Sequence, residues 1–177
     1  MPTPDAATLA KAAQIVQRLG AIVPGEGVIA DEDELRVFEC DGLMAYKQLP
    51  MVVVLPETTE QVSSVLKTCH ELGVKIVPRG AGTGLSGGAL PLADAVTLGL
   101  GKLKKILEID YANRCAVVQP GVTDMAITHA VQDEGYYYAP DPSSQVACLI
   151  GVNVAENAGR ISRLNLVLQS PKPLGRA

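Results

Sequence analysis

A glycine-rich loop carries the clearest chemical signal in the sequence. Five of the nine residues from Gly80 to Gly88 are glycine, and Pro78 and Arg79 come directly before them. Glycine costs backbone entropy, so a fold keeps it where φ is positive or where another group approaches the backbone closely. Successive backbone N–H groups in such a turn form a concave site for anions. A plain turn between strands does not need five glycines, so we favour phosphate binding, with Arg79 adding a positive charge.

The loop does not match the two common phosphate motifs. Residues 82–87 spell G-x-G-x-x-G, but that motif indicates a dinucleotide site only when a helix follows it. Here Pro91 and the strand-like run Val96–Leu98 follow. A P-loop ends in Gly-Lys-Ser/Thr, and residues 87–89 supply no lysine. We therefore interpret the loop as a diphosphate cradle of another kind.

Two later stretches place polar groups among small residues or prolines. Asp141 stands between two prolines, which hold the backbone rigidly and could aim it at a ligand. Asn153 and Asn157 lie four residues apart, so they can face the same way on a helical turn. Each of their side-chain amides offers a donor and an acceptor. Helix capping and local turns are the alternative for the asparagines, and on this segment alone we favour that alternative.

The cysteines and histidines do not form a metal site by their spacing. The four cysteines are far apart, without a C-x-x-C pair, and we expect them to be reduced and buried: Cys40, Cys69, Cys115 and Cys148. The two histidines, His70 and His129, each come near the end of a predicted helix, where we expect surface residues. The sequence therefore predicts no metal and no disulfide framework.

The glycine loop follows a predicted strand–helix–strand unit. Met51–Leu55 is a continuous apolar run, typical of a strand that is buried on both faces. Thr58 and Gln61 form a capping box, and the apolar stripe that follows ends at Gly73. The strand Val74–Val77 comes next, so the two strands should be parallel. The loop then lies at the carboxyl end of a strand, where open α/β sheets bind ligands.

Other elements are predicted on either side of this unit. An amphipathic helix should begin at Thr3 as N-cap and end at Gly20, and a lead-in loop should cover Phe38–Gly42. Downstream, apolar runs on both sides of a polar turn predict a hairpin, and a helix should follow to a cap at Gly135. The hairpin strands are Ile106–Ile109 and Cys115–Val118, the next turn is Pro120-Gly121, and the helix runs from about Thr123 to Glu134.

Composition narrows the class of protein. The chain has 177 residues, 47% of them hydrophobic, with a formal net charge of −4. These values favour one globular domain and do not indicate a nucleic-acid footprint. The first residues have no basic segment followed by an apolar one, and no apolar run approaches a membrane span. We therefore expect a cytoplasmic protein.

Taken together, the motifs resemble the FAD-binding domain of the vanillyl-alcohol oxidase / p-cresol methylhydroxylase (PCMH) superfamily. Within it, the resemblance is greatest to the FAD-binding subunits of glycolate oxidases, also called glycolate dehydrogenases. It runs from about residue 28 to residue 159. The stretches that carry it are Glu39–Leu43, Arg79–Pro91, Gln119–Val122, Tyr137–Gln145 and Asn153–Gly159.

The resemblance implies an α+β fold, the N-terminal portion of a two-subdomain PCMH-type FAD-binding domain. It also implies oxidation of a 2-hydroxy acid by hydride transfer to the flavin, with FAD carrying the chemistry. Because the glycine loop holds no histidine, we expect non-covalent FAD. The implied cofactor-binding residues are Pro78, Arg79, Gly80, Ala81, Gly82, Thr83, Gly84, Leu85, Ser86, Gly121, Pro140, Asp141, Pro142, Ser143, Gly151, Asn153, Ala155 and Asn157.

The resemblance also sets the expected organisation of the chain. Residues 1–47 should form the N-terminal helix and lead-in loop, residues 48–160 an incomplete PCMH-type domain, and residues 161–177 a non-matching tail, as after a frameshift or early stop. The family's second glycine is Val152 here, and its last is Arg160. No catalytic residue can be named.

Three functions stay open. The chain is the FAD-binding part of a 2-hydroxy-acid oxidoreductase, a non-catalytic remnant with weak or no flavin binding, or an interaction subunit that docks on other glycolate oxidase subunits.

Overall fold

A computed structural model describes residues 1–140 and 143–156. The chain divides into a first unit, Met1–Lys102, and a second unit, Leu103–Ala177. The helices are α1 (Ala6–Leu9), α2 (Ala12–Ile22), α3 (Glu32–Leu35), α4 (Thr59–Leu72), α5 (Asp124–Val131) and α6 (Ile150–Ala155). The strands are β1 (Val28–Ile29), β2 (Val52–Val54), β3 (Lys75–Arg79), β4 (Ala95–Gly99), β5 (Ile106–Asp110) and β6 (Cys115–Val118).

The first unit is built on a four-stranded sheet with the order β1-β2-β4-β3. Strand β4 is parallel to both β2 and β3, and β1 is antiparallel to β2. The predicted parallel strand–helix–strand unit is confirmed, although β4 lies between its two strands. All three residues of β2 are buried, as their continuous apolar run predicts. The loop Gly80–Gly88 begins where β3 ends.

Helices α2 and α4 pack with the sheet into one hydrophobic core, which includes Leu19, Val54, Val65 and Val96. Half of the capping box of α4 is confirmed, because the Thr58 hydroxyl accepts a hydrogen bond from the N–H of Gln61. The Gln61 side-chain oxygen accepts from the Glu57 N–H at 2.7 Å, one residue before the N-cap, and not from that of Thr58. The helix ends at Gly73, whose φ of 67° is left-handed and suits glycine. Local capping therefore fixes both ends of the helix that joins β2 to β3.

The single predicted N-terminal helix is two helices, α1 and α2, and it also differs from its prediction at both ends. Asp5, and not Thr3, is the N-cap, because its carboxylate accepts hydrogen bonds from two backbone N–H groups in the first turn of α1. Gly20 does not end the helix, since α2 continues to Ile22. A single glycine is tolerated inside a helix that tertiary packing supports, and Leu19 beside it is fully buried in the core.

The second unit contains the predicted antiparallel hairpin of β5 and β6, which pair from Ile106↔Val118 to Asp110↔Cys115. Helix α5 is followed by a 3-10 turn, Gln132–Glu134, which Gly135 ends with a φ of 76°. A small core joins Val122, Ile127 and Ile150. Together with the first unit, the hairpin confirms the predicted α+β fold class.

All four cysteines are free, but only two of them are buried. Cys69 and Cys148 are buried, whereas Cys40 and Cys115 are half-exposed, so the expectation of four buried thiols is wrong for the second pair. Burial raises the pKa of the Cys69 thiol to about 11. His70 and His129 are exposed, as predicted.

Within residues 1–140 and 143–156, no cluster of histidine, cysteine or acidic side chains could hold a metal ion. In the same part of the chain, the helices are all too short or too polar to span a lipid bilayer.

Asp94 connects the start of the chain to the sheet, and its ionisation should make stability depend on pH. Its carboxylate accepts hydrogen bonds from Lys75 Nζ at 2.7 Å and from the Asp5 N–H at 2.9 Å. These bonds hold the pKa of Asp94 below its ordinary value of 3.8, with the Lys75 bond as the main cause. The stabilisation is therefore present above the unfolded pKa and is lost as the pH falls through the folded pKa.

We expect Asp94→Asn to lower the melting temperature at pH 7, and we expect the difference from wild type to shrink as the pH falls below about 4. Thermal melts from pH 2 to pH 8 measure this difference, with Asp133→Asn, an exposed aspartate, as the control. A difference that stayed constant over this range would contradict an ionic role for Asp94.

Candidate cofactor-binding site

The glycine loop, Gly80–Gly88, presents a row of unused backbone donors. In the part of the chain that the structure describes, none of its nine backbone N–H groups donates a hydrogen bond. Gly82 and Gly87 have φ angles of 75° and 78°, in the left-handed region. Backbone N–H groups in such turns can converge on one anion. The loop therefore has the donors that an anionic ligand needs.

Arg79, the last residue of β3, lies underneath this loop and has only 8% of its surface exposed. Its Nη1 donates hydrogen bonds to the backbone carbonyls of Cys40, at 2.8 Å, and Ala89, at 3.2 Å. Its guanidinium carbon lies 5.7 Å from the centre of the Phe38 ring. Burial lowers the pKa of Arg79, whereas the nearby Asp41 opposes that shift. The guanidinium thus joins both sides of the glycine loop to the lead-in loop.

Gly82 passes directly over this guanidinium. A Cβ atom at Gly82 would lie 2.7 Å from the Arg79 Cζ and would collide with Nη2. Glycine is therefore required here for two reasons, the positive φ and the close approach. Direct contact of Arg79 with the cofactor stays a prediction, since its observed partners are protein groups.

The lead-in loop supports the glycine loop from another side. A Cβ at Gly42 would lie 2.7 Å from the carbonyl oxygen of Thr83 and 3.0 Å from that of Gly84. Beside it, Asp41 is 4% exposed, and one carboxylate oxygen accepts a hydrogen bond from the Leu43 N–H at 3.0 Å. Asp41 and Gly42 lie in the stretch Glu39–Leu43 that carries the family resemblance. No spacing rule predicts the contact of Gly42 with the glycine loop, which lies some 40 residues further along the chain.

In the second unit, the turn at Gly121 is joined to the start of α6. The Ile150 N–H donates to the carbonyl of Val122 at 2.8 Å, and the Gly151 N–H donates to that of Pro120 at 3.0 Å. The Gly121 N–H donates to Leu103 at 2.7 Å. Gly121 and Gly151 are predicted cofactor residues, but their N–H groups are occupied by these internal bonds. Any contact they make with a cofactor must involve other atoms.

A buried polar cluster lies beside this junction. The Asp124 carboxylate, 1% exposed, accepts hydrogen bonds from Asn153 Nδ2 at 2.7 Å and from Cys148 Sγ at 3.4 Å. Burial raises the pKa of Asp124, against the effect of those two bonds, and it also raises the pKa of Cys148. Asn153 is a predicted cofactor residue, whereas nothing in the sequence pattern singles out Asp124 or Cys148.

The other predicted residues divide between the two units. In the glycine loop, Ala81, Leu85 and Ser86 are exposed and Thr83 is half-buried. In the second unit, Pro140 is half-buried, and Ser143 and Ala155 are exposed. Asp141, Pro142 and Asn157 lie outside the described residues.

Replacing Arg79 should loosen the glycine loop. In Arg79→Met, the carbonyls of Cys40 and Ala89 lose their donor, which should lower the free energy of unfolding by about 1–3 kcal/mol. Urea denaturation measures this change. Arg36→Met is the matched control, because the Arg36 side chain is 56% exposed. Equal stability of the two variants would contradict the supporting role of Arg79.

Comparisons with known proteins agree with this geometry. A family model described as an FAD binding domain matches residues 50–165. The glycolate oxidase subunit GlcD of Escherichia coli K12 is 52% identical over 147 residues, which make up 83% of this chain and 30% of that protein. D-lactate dehydrogenase of Anaerostipes hadrus is 35% identical over 147 residues, 82% of this chain and 30% of that protein.

A solved structure of p-cresol methylhydroxylase with substrate bound matches with a TM-score of 0.63 and 28% identity, over 75% of this chain and 26% of that one. The chain thus spans about 30% of the length of the two sequence relatives. The predicted resemblance to the PCMH superfamily is confirmed. Since the family model covers more than half of the 177 residues, the chain belongs to the family of FAD binding domains, whose cofactor is FAD.

Proposed function

We propose that this chain is the FAD-binding portion of an oxidoreductase that acts on a 2-hydroxy acid of the glycolate or D-lactate type. The observation that carries the proposal is the glycine loop, whose nine backbone N–H groups find no acceptor among the described residues. The names of the relatives, a glycolate oxidase subunit and a D-lactate dehydrogenase, support the substrate class.

The residues present fit the diphosphate of FAD. Phosphate oxygens accept hydrogen bonds, and the loop offers donors that the described protein groups do not use. The loop from Gly80 to Gly88 contains no aspartate or glutamate, so no carboxylate within it repels the phosphates. The absence of a Cβ at Gly82 lets the loop backbone lie directly against the Arg79 guanidinium. Gly80–Ser86 would therefore hold the diphosphate.

FAD, when bound, supplies the hydride acceptor for oxidation of the substrate α-carbon. This chain's residues would bind and orient the cofactor. His70 and His129 are exposed on α4 and α5 and are separate in sequence from the cofactor motifs, so we assign no catalytic residue. Non-covalent binding, a domain over residues 48–160, a cytoplasmic location and association with other oxidase subunits belong to the same proposal.

A second candidate function is an interaction subunit without flavin. It is favoured by a pocket of about 460 Å³ in the second unit, lined mainly by apolar side chains such as Ile109, Val118, Ile127 and Val131. An absorbance spectrum of the purified chain distinguishes the two functions, because flavin bands support the first and their absence supports the second.

Blocking the loop should abolish nucleotide binding. Gly82→Val places a side chain against the Arg79 guanidinium at a positive φ, and Gly84→Val adds a side chain within the loop. Each should distort the row of backbone N–H groups, so the affinity for FAD and for ADP should fall at least about tenfold, or 1.4 kcal/mol. Calorimetric titration measures the affinity, and circular dichroism checks that the helices remain. Gly20→Val is the control, because a Cβ at Gly20 meets no atom within 4 Å. Unchanged affinity in both loop variants would remove the loop from the site.

The 177-residue chain should not oxidise glycolate or D-lactate faster than free FAD does. Catalysis needs the substrate carbon in a near-attack geometry and a base near the hydroxyl, and no described residue of the cofactor motifs supplies that base. Dye-reduction kinetics with excess FAD measure the rate. A rate clearly above that of free FAD, and lost on substitution of one residue of this chain, would show a complete active site.

A further inference from the structure

Asp124 is a buried acid that the proposed FAD binding does not use directly. It occupies the first position of α5, after the N-cap Thr123, and is 1% exposed. One carboxylate oxygen, Oδ2, accepts both Asn153 Nδ2 and Cys148 Sγ. The other oxygen, Oδ1, has no hydrogen-bond partner among the described residues. A buried carboxylate is costly unless it is hydrogen-bonded, so the Asn153 bond is important for Asp124.

The same bond determines which atoms Asn153 can offer to a ligand. Its Nδ2 donates to the Asp124 carboxylate at 2.7 Å and to the Cys148 sulfur at 3.3 Å. An asparagine amide has two N–H donors, and both are occupied here. Its side-chain carbonyl oxygen accepts no hydrogen bond within the described residues, and Asn153 is half-exposed. The free group of Asn153 is therefore an acceptor.

The surrounding backbone keeps this arrangement in place. Thr123 and Leu149 form an antiparallel bridge, and the Ile150 N–H donates to the carbonyl of Val122. The segments that carry Asp124 and Asn153 are thus fixed to each other next to Asp124 and about one helical turn before Asn153. A rotated amide would put the Asn153 carbonyl oxygen against the carboxylate oxygen, where two acceptors repel each other.

We propose that Asp124 is a positioning residue that holds Asn153 with its carbonyl oxygen towards the cofactor. The proposal rests on the proposed FAD binding and deepens it. The cofactor group at Asn153 is then a hydrogen-bond donor, that is, a hydroxyl or a ring N–H. It is not a diphosphate oxygen, because such an oxygen only accepts.

Side-chain NMR tests the positioning without any cofactor. In ¹⁵N-labelled protein, the Asn153 side-chain NH₂ should exchange slowly with solvent in the wild type and in Asp124→Asn, which keeps an acceptor carbonyl. It should exchange at least about tenfold faster in Asp124→Ala, because a buried hydrogen bond protects an amide only while it is closed. Asp133→Ala is the control. Fast exchange in the wild type would overturn the proposal.

Titration tests the consequence for binding, with FAD, ADP and inorganic pyrophosphate as probes. Asp124→Ala should weaken FAD binding about tenfold, Asp124→Asn should not, and Asp124→Ala should have no further effect in an Asn153→Ala background. If Asn153→Ala weakens the binding of FAD and of ADP alike, the hydrogen-bond donor lies on the adenosine side of the cofactor. If it weakens the binding of FAD alone, the donor lies on the flavin side. The proposal would be overturned if the affinity for pyrophosphate fell as much as that for FAD. It would also be overturned if the effects of Asp124→Ala and Asn153→Ala on the binding free energy were additive.

If the wild-type chain bound no FAD, the proposed function would fail. The exchange rates would then still show separately whether Asp124 orients Asn153.

Discussion

The buried guanidinium of Arg79 is the interaction on which the first unit's candidate site depends. A charge in the interior is tolerated only when its donors are satisfied, and here two backbone carbonyls satisfy Nη1. One carbonyl belongs to the lead-in loop and the other to the residue after the glycine loop. The cation therefore fixes two irregular segments that have no ladder of backbone hydrogen bonds. Gly82 and Gly42 then let the chain pass close to these supports without a Cβ in the way.

The two units differ in how they use their polar groups. In the first unit, the N–H groups of the glycine loop have no acceptor within residues 1–140 and 143–156, which suits a ligand made of acceptors. In the second unit, the N–H groups of Gly121 and Gly151 and the amide of Asn153 are all occupied by protein acceptors. What remains at Asn153 is a carbonyl oxygen.

Sequence reasoning succeeded where the determining contacts are local. The hydroxyl cap at Thr58 and the left-handed cap at Gly73 each depend on residues within a few positions of one another. The N-cap was placed wrongly at Thr3, because Asp5 binds two N–H groups of α1 and also reaches Asp94 through its own N–H.

The support of the candidate site could not be predicted in the same way. Arg79 finds one of its partners 39 residues earlier in the chain, and Asp124 meets Asn153 29 residues later. No spacing rule connects such pairs. The residues that would contact the cofactor were therefore easier to propose than the residues that hold them.

The strand order has a consequence for how the polypeptide reaches its fold during synthesis. Strand β4 is the last strand of the four-stranded sheet to be synthesised, but it lies between β2 and β3. Until β4 leaves the ribosome, β2 and β3 have no strand between them. The backbone edge of each that pairs with β4 is then without its hydrogen bonds. At 5–20 residues per second, the stretch of about 20 residues after β3 takes roughly 1–4 seconds to emerge. During that interval the edges of β2 and β3 that pair with β4 are open to aggregation and to chaperones.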